Sequence, residues 1–397
     1  MMWEKVKLGD VSDSCLGKML DQRKNKGTYK PYLANINVRW GSFDLENLQE
    51  MKFEDDEDER YGIKYGDLII CEGGEPGRCA IWKEQLPNMK IQKALHRVRV
   101  NEEMDYRYVY YWFLLAGKQG ALKQYYTGAT IMHMPGQKLK EVVIDKPPLD
   151  VQRRIGDYLE SFDNLIENNQ KQIKLLEEAA QRLYKEWFVD LRFPGYENTA
   201  IVDGVPEGWK EDTIDSKIDL LSGYAFKSTE FNDEGTYKIV TIKNVKDGQF
   251  DGDNVSRMID IPTKMPEHCK LSNGDILLSL TGNVGRVCIV HGDNYLLNQR
   301  VAKIKSDNLT YAYCLFRSKD MFDEMNNLAN GAAQQNLSPI RTGKIKVVFP
   351  TDKLIGSFEE VVSPMIEKIT MLNKTIVLLS QARDRLLPKL MSGEMEV

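Results

Sequence analysis

Apolar side chains return at alternating steps of four and three along two long stretches of this chain. The first runs Ile155, Leu159, Phe162, Ile166, Asn169, Ile173, Leu176, Ala180, Leu183, Trp187; the second runs Phe358, Val362, Met365, Ile369, Leu372, Ile376, Leu379, Arg383, Leu386, Leu390. A mean step of about 3.5 is the seam of a coiled coil, so each stretch predicts a long helix. Lys146-Pro147-Pro148-Leu149 opens the first helix, which should end near Phe188, before Phe193-Pro194-Gly195; Phe349-Pro350 opens the second. Elsewhere the pattern shortens to β-rich runs, Asp67 to Cys71, Glu141 to Ile144, Ile276 to Leu280 and Val287 to Val290, bounded by glycine, asparagine or proline. These predict strands. Tyr108 to Leu115 fits a buried helix or a strand equally, since periodicity cannot arbitrate there.

The chain also repeats itself. Tyr29-Lys30 returns as Tyr237-Lys238, Gly66-Asp67-Leu68-Ile69 as Gly274-Asp275-Ile276-Leu277 and Gly77-Arg78 as Gly285-Arg286, all at an offset of 208. Ile91-Gln92 answers to Asn298-Gln299 at 207, Trp3 to Trp209 at 206 and Gly128-Ala129 to Gly331-Ala332 at 203. Matches in this order, at so long a period, mark a duplicated domain rather than a solenoid. The expected fold is α+β or α/β: two mixed copies, residues 1–146 and 209–350, long helices over 147–192 and 351–397, and a linker over 193–208. If a pseudo-two-fold axis relates the copies, the helices are antiparallel and facing positions sum to 541 or 542. Ile155 then faces Leu386, Ile173 faces Ile369 and Leu183 faces Phe358. Two layers are odd. Arg383 faces Leu159 and should extend its charge outward to water. Asn169 faces Leu372, where its amide either fixes the register or reaches water or a backbone carbonyl.

Composition narrows the class. With 397 residues, 42% hydrophobic and 28% charged, the chain has the make-up of a globular protein of about two to three domains. No run approaches the ~18 apolar residues of a membrane span, and Met-Met-Trp-Glu-Lys-Val-Lys lacks a signal-peptide core. A cytoplasmic protein without membrane contact is expected, its six scattered cysteines free thiols. A formal charge of −5 lowers the expectation of nucleic-acid binding, although a local basic surface can coexist with an acidic total. Signatures of P-loop, dinucleotide-binding, nucleophile-elbow and zinc-protease chemistry are missing, and the histidines show no metal-ligand spacing. Glu54 to Glu59 read as an exposed, self-repelling loop, and Glu72 and Glu75 as solvated decoration of a glycine turn.

Each copy does carry polar side chains set among glycines. Lys123, Gln124, Tyr125, Thr127 and Thr130 flank Gly128 in the first copy; Gln334, Gln335 and Asn336 follow Gly331 in the second. Asn35, Asn37, Arg39 and Trp40 are matched by Lys243, Asn244 and Lys246, while Arg78, Lys227, Asn283 and Arg286 complete the set. Amides pair bidentately with adenine and arginines with guanine, so these types suit major-groove readout of double-stranded DNA. Surface loops use the same residues for solubility alone, and composition leaves both readings open.

The motifs resemble a known family. Pro147-Pro148-Leu149-Asp150-Val151-Gln152-Arg153-Arg154-Ile155, leading into a heptad helix, resembles the helix entry of specificity subunits of type I restriction-modification systems. Leu183-Tyr184-Lys185-Glu186-Trp187-Phe188-Val189-Asp190 is similar to the end of their central helix. Gly223-Tyr224-Ala225-Phe226-Lys227-Ser228 is similar to the opening of a recognition domain, and Leu386-Leu387-Pro388-Lys389-Leu390 to their ending. The resemblance covers essentially the whole chain. It implies a non-catalytic subunit whose two target-recognition domains each read half of a bipartite, asymmetric DNA site. The antiparallel coiled-coil helices would space the half-sites and dock two methyltransferase subunits, with a motor-nuclease subunit joining for restriction. No cofactor would bind this chain; S-adenosylmethionine, Mg2+ and ATP would belong to the partners. Lys146-Pro147-Pro148-Leu149 indeed lacks the acceptor amide of the catalytic subunits' methylation motif. The second helix entry, Phe349-Pro350-Thr351-Asp352-Lys353-Leu354, departs from the proline-acid-glutamine pattern, which points to a less typical methyltransferase contact. From Asp150 to Phe188 a helix would span ~58 Å at ~1.5 Å per residue, room enough for half-sites ~34–36 Å apart. Two other classes stay open: an enzyme with its own active site on DNA, and a coiled-coil scaffold without DNA.

Overall fold

The computed structural model describes residues 3–21, 25–202, 204–253, 255–329 and 335–396. The chain divides into two compact units, Met1–Leu165 with Leu379–Val397, and Ile166–Leu378. In the first, a four-stranded antiparallel sheet runs in the order Ser12–Leu16, Leu95–Val100, Leu68–Cys71, Cys79–Ile81. The strand Leu68–Cys71 is apolar throughout because both faces are covered. Leu68 and Ile70 join one core with Tyr108 and Phe113; Ile69 and Cys71 join another with Leu33, Trp82 and Ile91. A second sheet orders Gln49–Phe53, Thr28–Leu33 and Lys90–Ile91, the last pair parallel.

The ambiguous run from Tyr108 to Leu115 is helical, within α1 (Tyr106–Lys118). Asp105 decides it, its carboxylate accepting from the backbone N–H groups of Arg107 (2.9 Å) and Tyr108 (3.3 Å) as an N-cap. Gln152, in the first turn of α2 (Leu149–Tyr184), latches onto that cap. Its fully buried amide accepts from the Asp105 N–H at 2.9 Å and donates to the carbonyls of Pro147 (2.8 Å) and Glu103 (3.2 Å).

The second unit repeats the plan, with Asp219–Ser222, Val301–Lys305, Ile276–Ser279 and Val287–Ile289 in one sheet. Ser256–Met258, Tyr237–Val240, Tyr295–Leu297 and Lys270–Leu271 form the other. Strand pairing corrects two of the sequence matches. Lys30 pairs with Met51 and Tyr237 with Met258, so Tyr29-Lys30 and Tyr237-Lys238 are one residue out of register. On a strand one residue exchanges the two faces. Leu33 beside Ile91 likewise corresponds to Val240 beside Leu297, which aligns Gln92 with Asn298 rather than Gln299. Gly77 and Gly285 do correspond, donating to the carbonyls of Cys71 (2.9 Å) and Ser279 (3.0 Å). The match to Gly331-Ala332 lies outside the described residues.

Here α3 (Leu309–Arg317) lacks a side-chain cap from Asn308; Glu359 of α4 (Asp352–Ser392) accepts from the Tyr311 N–H at 2.7 Å instead. Ile355, fully buried, takes the place that Gln152 holds in the first copy. The unusual entry to the second long helix thus exchanges a polar latch for an apolar one inside the unit, and on its outer face the exposed Asp150 gives way to the exposed Lys353.

Within each unit α2 and α4 pack antiparallel. Ile155 and Leu159, early in α2, share a core with Leu387 and Leu390, late in α4. Ala180 and Tyr184, late in α2, share one with Phe358 and Val362, early in α4. Every heptad position is buried or half-buried. The α-helix stops at Tyr184, short of Phe188, and a π-helical turn over Lys185–Val189 follows. Its extra residue re-aims the side chains, and Tyr184, Trp187 and Phe188 all meet the buried Phe358, ring centroids 6.2, 5.7 and 5.0 Å away. Arg383 overturns another expectation. It does not reach outward but bonds Asp163 of α2 at 2.5 Å, and the Tyr111 hydroxyl donates to the same carboxylate at 2.6 Å. Asn169 is buried, and among the described residues no hydrogen bond to its amide is present.

The acidic run is not a self-repelling loop either. Asp55–Glu57 form a 3-10 turn and Asp58–Tyr61 a short helix, where the buried Lys18 and Lys90 pair with Glu57 (2.5 Å) and Asp58 (3.1 Å). Among the described residues no acid, histidine or cysteine cluster could hold a metal, and no helix is long and apolar enough to cross a membrane. The six cysteines are free thiols.

Candidate DNA interface

Backbone hydrogen bonds stitch several loops together beyond the strand Leu68–Cys71. Glu72 N–H donates to Ala94 O (2.9 Å), Met134 N–H to Glu72 O (2.7 Å), and the Asn35 amide to Gly73 O (2.8 Å). Gly74, at φ 73°, lies in the left-handed region, and a Cβ there would come within 2.9 Å of the Asn35 amide. Thr127 and His133 exchange two backbone bonds of 2.7 and 2.9 Å, closing residues 127–133 into a small exposed hairpin. The second unit repeats the stitching: Leu280 N–H to Arg300 O (3.0 Å), Leu337 N–H to Leu280 O (2.7 Å) and Gly282 N–H to Gln335 O (3.1 Å).

The candidate residues divide into those that the loops use internally and those that face out. Asn37 and Asn244, 7% and 1% exposed, close the same 3-10 turn in the two copies. Their amide oxygens accept from Ala34 N–H (2.9 Å) and Thr241 N–H (2.8 Å), and their NH2 groups donate to the carbonyls of Asp44 (3.0 Å) and Asp251 (2.8 Å). They build the loops and present no amide edge to a base. Trp40 Nε1 donates to Glu75 (2.7 Å), and Arg78 donates to Glu75 (3.2 Å) and to the Asn35 carbonyl (3.1 Å). Glu75 is thus a clamp, not loose decoration. The Tyr125 hydroxyl accepts from Val143 N–H (3.1 Å), and Gln124 turns back to the Ala121 carbonyl (3.0 Å). Arg39 and Lys246 are exposed yet bonded to Asp44 (3.4 Å) and Asp251 (2.9 Å). Lys123, Thr127, Thr130, Lys227, Lys243, Asn283, Gln335 and Asn336 are exposed, and Arg286 is half-buried. Gln334 lies outside the described residues.

Lys93, Gln299 and Arg300 are exposed at the same edges, beside Gln92 and Asn298, so the repeat itself could have found them. The apolar tips Ile36 (70% exposed) and Ile131 (65%) also face out in the first copy. A lone aliphatic residue carries no such signal in sequence.

Beneath these loops His96 is buried, its Nε2 3.1 Å from the Met134 carbonyl. Burial holds its pKa below the ordinary 6.5 despite the opposing pull of Glu72, and burial does the same to His291 in the second unit. The unfolded chain therefore takes up these protons first as pH falls. Their stabilising effect is complete above pH 6.5 and declines below it. Thermal unfolding should show Tm falling between about pH 7.5 and about pH 5.5, more gently in a His96→Gln, His291→Gln double variant. An unchanged slope in that variant would assign the pH dependence elsewhere.

A family model for the type I restriction modification DNA specificity domain matches residues 2–178 and 206–375. The MjaIX specificity subunit of a type I restriction enzyme from Methanocaldococcus jannaschii is 29% identical over 349 residues, covering 84% of this chain and 78% of that protein. The MjaVIII specificity subunit of the same organism is 26% identical over 413 residues, covering 100% and 93%. The S subunit of a type I restriction-modification system from M. genitalium has the same fold, with a TM-score of 0.58 at 18% identity, over 98% of this chain and 96% of that one. Each matched segment contains one of the two copies that strand register defines, and the chain belongs to the type I restriction-modification DNA specificity family, as a specificity subunit.

Proposed function

We propose that the copies, residues 1–146 and 209–350, each read one half of a bipartite, asymmetric DNA site. In this reading α2 and α4 set the spacing and dock two methyltransferase subunits. Methyl transfer, and cleavage with a motor-nuclease subunit, belong to those partners, which hold S-adenosylmethionine, Mg2+ and ATP. The observation that carries the reading is divergence of the loop edges on a shared frame. Two backbone bonds repeat, Glu72 to Ala94 as Leu280 to Arg300 and Met134 to Glu72 as Leu337 to Leu280, whereas Met132 and His133 of the first copy give way to Gln335 and Asn336 in the second, and Glu75 to Asn283. Identical edges would read a symmetric site; different ones read two different half-sites. Exposed Lys123, Lys227 and Lys243 then contact phosphate, while Gln335 and Asn336 contact base edges.

Sequencing of modified adenines, in cells with and without the gene, is expected to show a two-part asymmetric motif. The Gln335→Ala, Asn336→Ala double variant should relax one half only, at a cost of about 1–3 kcal/mol. Equal relaxation of both halves would make these residues positioning groups. Methylation or cleavage of duplex DNA by the purified chain alone, given S-adenosylmethionine and Mg2+, would overturn the non-catalytic assignment. An assembled complex without sequence preference would favour a scaffold.

A further inference from the structure

The two copies carry an arginine at the same place in the same turn and treat it differently. Arg78 is occupied: its guanidinium donates to the Glu75 carboxylate at 3.2 Å and to the carbonyl and amide oxygens of Asn35 at 3.1 and 3.3 Å. In the second copy both side chains that hold the arginine are replaced. Asn283 stands at the Glu75 position and carries no charge. Ile242 stands at the Asn35 position and has no side-chain acceptor, while its main-chain carbonyl takes the Val245 N–H. The glycines confirm the equivalence: a Cβ on Gly74 would meet the Asn35 amide at 2.9 Å, and one on Gly282 would meet Ile242 Cδ1 at 3.2 Å. Among the described residues the Arg286 guanidinium has no ion pair or hydrogen bond.

The turn beneath it is nevertheless fixed. Ser279 Oγ donates to the Asn283 carbonyl at 2.6 Å and accepts from the Arg286 N–H at 3.0 Å, while Gly282 and Gly285 hold φ of 73° and 78°. A guanidinium fork on a fixed turn, beside an exposed amide, offers the two parallel donors that a guanine O6/N7 edge accepts; a phosphate can take the same fork, and sequence preference separates the two. Resting on the DNA-recognition reading above, we infer that Arg286 reads a guanine in the second copy's half-site, whereas Arg78 is held out of readout by Glu75 and Asn35.

The test is selection of a randomised duplex library by the chain assembled with its methyltransferase subunits, followed by sequencing. Wild type is expected to enrich a two-part motif; no motif at all would sink the DNA-recognition reading itself. Arg286→Ala should lose the preference at a single G·C pair of one half, with affinity for the full motif down ~5- to 150-fold. Every other position should be retained, which also shows that the variant is folded. Asn283→Glu, which restores the acid of the first copy, should produce the same loss with the arginine still present, whereas Asn283→Gln should not. An unchanged motif for Arg286→Ala, or one uniformly weaker at every sequence with a smaller salt dependence, would overturn the inference in favour of no contact or a phosphate contact. An intact G·C preference in Asn283→Glu would equally overturn it.

Discussion

Phe358→Ala should destabilise the second unit by about 3–5 kcal/mol, the range for deleting a fully buried aromatic ring. Phe358 is completely buried, and Tyr184, Trp187, Phe188 and Tyr311 surround it with centroids 5.0 to 6.5 Å away. Edge-to-face ring pairs contribute about 0.5–1.5 kcal/mol each beyond their buried area. The site cannot collapse easily, because the aromatic neighbours come from two helices and a π-helical turn that each have other anchors. Phe188 also packs on Trp209, and Tyr311 on Phe349. For a unit of this size each kcal/mol moves Tm by about 2–4 °C, so calorimetry should find a transition lowered by on the order of 10 °C. Phe358→Leu should recover part of that loss. A shift below about 2 °C for the alanine variant would mean that the ring is not the keystone of this core.

Arg383→Ala should cost the first unit about 3 kcal/mol or more, although Arg383 stands at a heptad position that aliphatic side chains normally fill. Burial alone would lower the Arg383 pKa, but the Asp163 carboxylate more than offsets this and raises it, so the guanidinium stays charged. Both side chains are less than a third exposed, 17% and 25%. Deleting the arginine leaves the half-buried Asp163 with the Tyr111 hydroxyl as its one hydrogen-bond partner among the described residues. Removing both charges is a different experiment. An Asp163→Leu, Arg383→Leu variant restores an apolar seam and should lie well above either single variant in stability, losing mainly the Tyr111 hydrogen bond at about 1 kcal/mol. Additive losses in this double-mutant cycle, measured by denaturant unfolding, would show that the two groups do not interact.

These two sites also show what a sequence can disclose. The heptads, the duplication and the strands were legible because each is a periodic or repeated signal carried by neighbouring residues. The Arg383 pairing was not, since its partner Asp163 is 220 positions away in the chain and no local pattern marks it. Glu177 belongs to the same class. It is a charged residue beside the seam by spacing, yet it is largely buried, accepting from the Tyr313 hydroxyl at 2.5 Å and pairing with Arg317. Burial pushes its carboxyl pKa up even with Arg317 adjacent. In the candidate interface, residue type alone could not separate Asn37 and Asn244, consumed by their own turns, from Asn283, which faces out. Asparagine serves both purposes, and only the partner of the amide tells them apart.

The division of the chain also dictates the order in which it can fold as it leaves the ribosome. The second unit is continuous, Ile166–Leu378, and is complete once that span has emerged. The first is interrupted: Leu387, Leu390 and Met391 belong to the core that Ile155 and Leu159 help to form, and they are made only after the whole second unit. At about 5–20 residues per second, the opening recognition copy waits on the order of tens of seconds for the side chains that close it. During that interval the apolar stripe at the start of α2 lacks the partners that α4 supplies. A stop codon just before Leu387 would strand the unit synthesised earlier, not the one synthesised later.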